Sequence, residues 1–150
     1  SDRERKRLHG LSTTADSHSP PGYGIYDAKA NRATYERLQM LAKTALITGY
    51  SVIVDATFLK KLQRDEMRCL ATDLSVPMVI LDFPRLEAEL RRRIQQRTTK
   101  KDVISEANIE VLNYQRAEQQ PLDIHEQDLA MIVCPETTPE EIAARISGKL

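Results

Sequence analysis

The run Ser51-Val-Ile-Val54 is the feature that most limits what this chain can fold into. Gly49 precedes it and Asp55-Ala-Thr57 follows it. Three successive β-branched residues, too few for a helix, read as a buried parallel strand. The acid and the hydroxyl at its end are then delivered to a sheet edge. In open α/β sheets ligands bind beyond the carboxyl ends of the strands, which makes Asp55 and Thr57 candidate site residues. Asp is equally suited to capping a turn, and this stretch alone does not choose between the two.

The remaining signals alternate around that strand. Ser1 to Leu8 is dense in charge and reads as a solvated helical turn capped by Ser1 or Asp2. His9 to Tyr26 is rich in Gly, Ser, Thr and Pro and reads as a surface loop. Asp27 can cap a long amphipathic helix with Ala30, Ala33, Leu38, Leu41, Ala42 and Ala45 inward, ended by Gly49. A second helix runs from about Lys60 to Asp73, with Leu62, Met67, Leu70, Ala71 and Leu74 inward and Pro77 closing it. Met78 to Phe83 and Leu129 to Cys134 are further short apolar strands. Leu86, Leu90 and Ile94 mark a third helix, Ser105 starts another, and Thr138-Pro-Glu-Glu141 opens the last with a capping box and a Pro at its first position. Helices alternating with short apolar strands argue for a parallel sheet covered on both faces, an α/β architecture of three layers (α/β/α).

Composition narrows the functional classes. A chain of 150 residues with 41% hydrophobic content fits one domain with its own core. Lys and Arg number 22, as do Asp and Glu, so no global field draws the molecule to nucleic acid or membrane. No apolar run approaches a membrane span. Cys69 and Cys134 lack metal spacing and follow no secretory leader, which favours reduced thiols in a cytoplasmic protein. The start at Ser1, without a methionine, is expected to mark a piece of a longer protein.

Positive charge is concentrated in Leu90-Arg-Arg-Arg-Ile-Gln-Gln-Arg97 and its sequel to Lys101. Arg93 and Arg97, four apart, share a helix face and can grip one polyanion. A solvated face is the plainer reading of such a helix, but a basic helical hairpin between two sheet strands, at about 91–118, looks like a lid. Nucleic-acid binding by this patch is a weaker reading, because the chain has few aromatic residues for stacking and no net positive charge.

Taken together, Asp2-x-x-Arg5, Val-Ile-Val-Asp-Ala-Thr57, Arg93-x-x-x-Arg97 and a helix through Gln115 to Pro121-Leu-Asp123 resemble the later part of a P-loop kinase. The group concerned contains polynucleotide 5′-kinase, zeta toxin and gluconate kinase. Within it the chain is most similar to AAA_33-type domains, some of which are joined to an aminoglycoside-phosphotransferase-like domain. The resemblance implies a P-loop NTPase-like fold in a single domain over 1–150. It implies an ATP- and Mg²⁺-dependent phosphotransferase acting on a hydroxyl of a small molecule or a nucleic-acid 5′ end.

By the same resemblance, Asp2 orients or deprotonates the acceptor hydroxyl and Arg5 contacts the acceptor. Asp55 holds Mg²⁺ through water or positions substrate, Thr57 and Arg64 are secondary substrate or phosphate contacts, and Arg93 and Arg97 are lid arginines over the nucleotide. The chain departs from the pattern in one respect. None of its five glycines forms Gly-x-x-x-x-Gly-Lys-[Ser/Thr], so the first strand and phosphate loop are expected before Ser1. The expected partners are therefore the acceptor, an upstream segment or another domain of the same protein, and a second copy through self-association. The rival expectation is a non-catalytic interaction module that keeps the fold without the chemistry.

Overall fold

In the computed structural model, the structure describes residues 1–84, 87–97 and 108–148. The elements run α1 (Asp2–Leu8), a 3-10 turn (Gly24–Tyr26), α2 (Ala28–Ile47), α3 (Lys61–Asp73), β1 (Ile80–Asp82), α4 (Glu87–Arg97), α5 (Ile109–Glu118), α6 (Ile124–Leu129), β2 (Ala130–Ile132) and α7 (Pro139–Ser147). The strands β1 and β2 pair in parallel, with Ile80 opposite Ala130, Leu81 opposite Met131 and Asp82 opposite Ile132. The Val133 N–H extends the ladder by donating to the Asp82 carbonyl at 2.8 Å. Two of the three expected strands thus meet as parallel neighbours. Met131 and Val133 are buried in the core beneath them.

The third expected strand does not form. Residues 51–55 are extended, yet among the described residues the only hydrogen bond on their backbone is the one the Asp55 carbonyl accepts from the Ser1 amino group at 2.6 Å. Exposure alternates along 51–57, and Ile53 is 88% exposed. Val52 and Val54 are half-buried, whereas Ser51, Ile53 and Asp55 are exposed. A strand needs a ladder as well as β-branched residues, so the expectation of a buried strand at 51–56 is corrected to an unpaired extended segment. The sheet among the described residues has two strands, which is α/β but does not build three layers.

Helix ends follow local chemistry. The Asp27 carboxylate accepts the Ala30 N–H at 2.7 Å and starts α2. At its other end Gly49 (φ +87) closes a Schellman motif, in which Tyr50 N–H donates to the Ala45 carbonyl at 3.1 Å and Gly49 N–H to that of Leu46 at 3.0 Å. Ser75 (φ +53) plays the same part after α3. The expected capping box of Thr138 and Glu141 is present, with Pro139 beginning α7.

Two expected inward faces are rotated. In α2 the buried residues are Ala30, Thr34, Tyr35 and Ala42, whereas Leu41 is exposed and borders an open groove. In α3 Leu62 is exposed and Arg64 is buried with Leu70 and Ala71. The cause in each case is a polar side chain with internal partners, which apolar periodicity does not register. Two further expectations, a helix start at Ser105 and an inward Leu86, lie outside the described residues; the N-cap of α5 is Asn108, whose side chain accepts the Val111 N–H at 2.8 Å.

Candidate active site

Packing of α1 on α2 brings the start of the chain to the end of the 51–55 segment. Asp2, the first residue of α1, follows the Ser1 amino group that binds the Asp55 carbonyl. Ser1, Arg3, Glu4 and Asp55 rim an open groove of about 430 Å³, floored by Leu38, Leu41, Ala42 and Val52 to Val54. The Asp55 side chain is exposed with no partner among the described residues.

Arg5 lies on the other side of α1 and is buried. One terminal nitrogen donates to the Ile25 carbonyl and the other to Asn31 Oδ1, both at 3.0 Å, and the guanidinium lies 5.1 Å from the Tyr26 ring centroid. These contacts hold the end of the 9–26 loop against α1 and α2. Burial holds the Arg5 guanidinium below its ordinary pKa, opposed by the charge of Asp2. Its Nε is buried without a hydrogen-bond partner among the described residues.

Thr57 is exposed, and its hydroxyl lies 3.3 Å from the hydroxyl of Tyr35, itself buried in α2. Tyr35 also accepts the Phe58 N–H at 3.1 Å and packs edge-on to the Phe58 ring at 5.4 Å. Phe58 adopts φ +46, a left-handed conformation costing a non-glycine residue about 1–2 kcal/mol. Phe58 is held on both sides of its Cα, since its carbonyl accepts from Arg64 at 2.9 Å. Such over-determined strain clusters at functional sites.

Arg64, expected as a secondary substrate or phosphate contact, is buried and acts within the fold as an internal clamp. Its Nε and one terminal nitrogen bind the two Glu126 oxygens at 2.6 and 3.0 Å. The remaining donors reach the carbonyls of Phe58, Gln120 and Pro121. All five guanidinium hydrogens are thereby used, and none is left for a phosphate. Arg64 holds the Glu126 carboxyl below the ordinary range, and α6 is fixed by a capping box between Asp123 and Glu126. Lys60 pairs with Glu118, while Lys61 pairs with Asp65 at 2.7 Å and Asp123 at 3.1 Å. The root of α5 is thus fastened to the turn that follows Asp55.

The basic helix is neutralised locally. Arg92 and Arg93 both bind Glu89, at 2.9 and 2.7 Å, and hold its carboxyl down to about 2. Arg91 binds Glu87 at 2.7 Å and Asn113 of α5 at 3.1 Å, and Arg116 of α5 also reaches Glu87. These contacts align α4 and α5 as an antiparallel hairpin. Among the described residues no hydrogen bond or ion pair joins Arg93 to Asp2, Arg5, Asp55 or Thr57. Arg97 ends α4.

No group of three or more His, Cys, Asp or Glu side chains could cage a metal ion among the described residues. A lone exposed carboxylate such as Asp55 nevertheless fits Mg²⁺, which keeps several waters and uses one or two carboxylates with substrate phosphates. Sequence reasoning missed Tyr35 and Glu126. A tyrosine seven residues before Ala42 on the same helix face, and the Asp123-x-x-Glu126 capping spacing, were the available signals.

The parallel strand pair, with Asp55 exposed at the rim of an open groove, fits an α/β domain of the P-loop kinase-like class. The AAA_33 family model, an AAA domain, matches residues 1–122, and the chain belongs to that family. Its fold is therefore P-loop NTPase-like, a nucleotide-binding class. No curated protein and no solved structure matches the chain. No helix among the described residues is long and apolar enough to cross a membrane.

Proposed function

We propose that this domain transfers the γ-phosphoryl group of ATP to a hydroxyl of a small molecule or a nucleic-acid 5′ end, as a kinase of the polynucleotide-kinase, zeta-toxin and gluconate-kinase group. The reading includes a cytoplasmic protein in which an aminoglycoside-phosphotransferase-like domain can accompany this one. The observation that supports it is the family match over residues 1–122, taken with the exposed Asp55 at the rim of the groove. Asp2 orients the acceptor hydroxyl and takes its proton, while Arg5 steadies the acceptor side by fixing the 9–26 loop. Asp55 holds the waters of Mg²⁺, which supplies charge neutralisation at the phosphates. Thr57 contacts a phosphate oxygen. Arg93 and Arg97 close over the nucleotide as part of a lid at about 91–118, once Arg93 exchanges Glu89 for the phosphates.

The uncovered edge at 51–55 and its groove take a further extended segment of the same protein, because only a strand satisfies a row of free backbone groups. A mass by light scattering that doubles with concentration would assign the edge to a second copy instead. The catalytic reading is tested by offering Mg·ATP labelled at the γ-phosphate to the full-length protein with 5′-hydroxyl oligonucleotides and a panel of sugars and aminoglycosides. Transfer that disappears in Asp2→Asn supports it. ATP binding without transfer to any acceptor favours the non-catalytic module, for which the internal pairing of Arg93 already speaks.

A further inference from the structure

The hydroxyl of Tyr35 is in a position that decides how Thr57 must point. Tyr35 is 4% exposed, and its oxygen accepts the Phe58 N–H at 3.1 Å. Its own hydrogen also needs an acceptor, because an unpaired buried hydroxyl hydrogen is costly. The other polar atom bonded to it among the described residues is Thr57 Oγ1, at 3.3 Å and so at the long end for a hydroxyl pair. Were Thr57 the donor, the Tyr35 oxygen would accept twice and its hydrogen would have no partner among the described residues. Satisfying both hydroxyls assigns Tyr35 as the donor and Thr57 Oγ1 as the acceptor. Thr57 is exposed, two residues beyond Asp55, so its own hydrogen is free to reach a ligand.

We propose that Tyr35 is a positioning residue that fixes Thr57 as a hydrogen-bond donor toward an anionic oxygen of the bound ligand. A phosphate oxygen is the chemistry such a donor suits beside a carboxylate able to hold hydrated Mg²⁺. The choice of phosphate rests on the kinase reading above, whereas the orientation of Thr57 rests on Tyr35 alone. Rigidity comes from the backbone of Phe58, held at its N–H by Tyr35 and at its carbonyl by Arg64. Tyr35 touches no ligand itself and acts through Thr57.

The test is a double-mutant cycle in the full-length protein, with Mg·ATP affinity read by calorimetry. Tyr35→Phe keeps the ring and removes the hydroxyl, and Thr57→Val removes the donor at an exposed position without disturbing the core. Each should weaken Mg·ATP by about tenfold, the scale of one hydrogen bond to a charged group. The double variant should be no weaker than either single one, and Thr57→Ser should bind like the wild type. Multiplying effects, or unchanged affinity in Thr57→Val, would overturn the proposal. Amide exchange at Phe58 gives a readout independent of nucleotide and should quicken about tenfold or more in Tyr35→Phe. Unchanged exchange there overturns the positioning role itself. A wild type that binds no Mg·ATP overturns the kinase reading and the phosphate assigned to Thr57, and Phe58 exchange then still decides whether Tyr35 fixes the turn.

Discussion

Arg64 and Glu126, 62 residues apart in sequence, form a bidentate ion pair in which the arginine is 6% and the glutamate 2% exposed. The pair joins α3 to α6 and, through the Phe58, Gln120 and Pro121 carbonyls, fastens the turn after Asp55 to the root of α5. Breaking a buried pair strands its partner charge, so Arg64→Ala should cost about 3–5 kcal/mol. Arg64→Lys should recover only part of that, because three donors cannot replace five. Urea unfolding measures both. Loss of activity with full stability would return Arg64 to a ligand-binding role.

Acid sensitivity follows from the depressed carboxyls. Glu89 is held from an ordinary 4.5 down to about 2 by Arg92 and Arg93. Asp65 is lowered by Lys61 and Arg68, Asp123 by the Glu126 N–H and Lys61, and Glu126 by Arg64. When the folded value lies below the unfolded one, protons favour the unfolded chain. The stabilisation is present in full above the unfolded values and is lost as pH falls from about 4.5 toward about 2. The melting midpoint should hold steady from pH 7 to 5 and fall between pH 5 and pH 3, mainly through the buried Glu126, since the pairs of Glu89, Asp65 and Asp123 are open to solvent and contribute little. A midpoint unchanged between pH 5 and pH 3 would refute these assignments.

Backbone conformation gives a prediction of opposite sign at two equivalent positions. Ser75 and Gly49 both close Schellman motifs in the left-handed region. Ser75→Gly should stabilise the fold by about 0.5–1 kcal/mol, and Gly49→Ala should destabilise it by about 1 kcal/mol. No atom lies within 4 Å of a Cβ built at Gly49, so the penalty there is conformational rather than steric. Denaturant midpoints of the two variants should move in opposite directions from the wild type. Two shifts of the same sign would contradict the argument.

How far the sequence disclosed this arrangement depended on whether a residue acts through local pattern or through distant partners. Met78 to Phe83 and Leu129 to Cys134 were legible as parallel strands because each is apolar, short and followed by a helix. The caps Asp27 and Thr138 were legible because their partners lie three residues away. Val52 to Val54 carry the same β-branched signal, but whether such a run pairs is settled by a neighbour that its own residues do not specify. Arg64 looked like a surface cation on an amphipathic helix, and its acceptors at 120, 121 and 126 could not be read from it. Tyr35 was passed over for the same reason, since its partners are Thr57 and Phe58.

The lid arginines give a separable prediction. Glu89 already satisfies Arg93 at an exposed site, so Arg93→Ala should change the melting midpoint little. Under the kinase reading it should lower Mg·ATP turnover by about tenfold or more, the scale of one lost charge-stabilising donor. Unchanged turnover would make the arginine cluster a solvated, internally paired helix face.

The account turns on Asp55 as the carboxylate behind Mg²⁺, and calorimetry of ATP binding to the full-length protein, with Mg²⁺ and with excess chelator, tests this most directly. The wild type should bind ATP more tightly with Mg²⁺, and Asp55→Asn should lose that difference while keeping its Mg²⁺-free affinity. Equal affinity with and without Mg²⁺ in the wild type, or an Asp55→Asn variant that retains the full difference, would contradict the site described here.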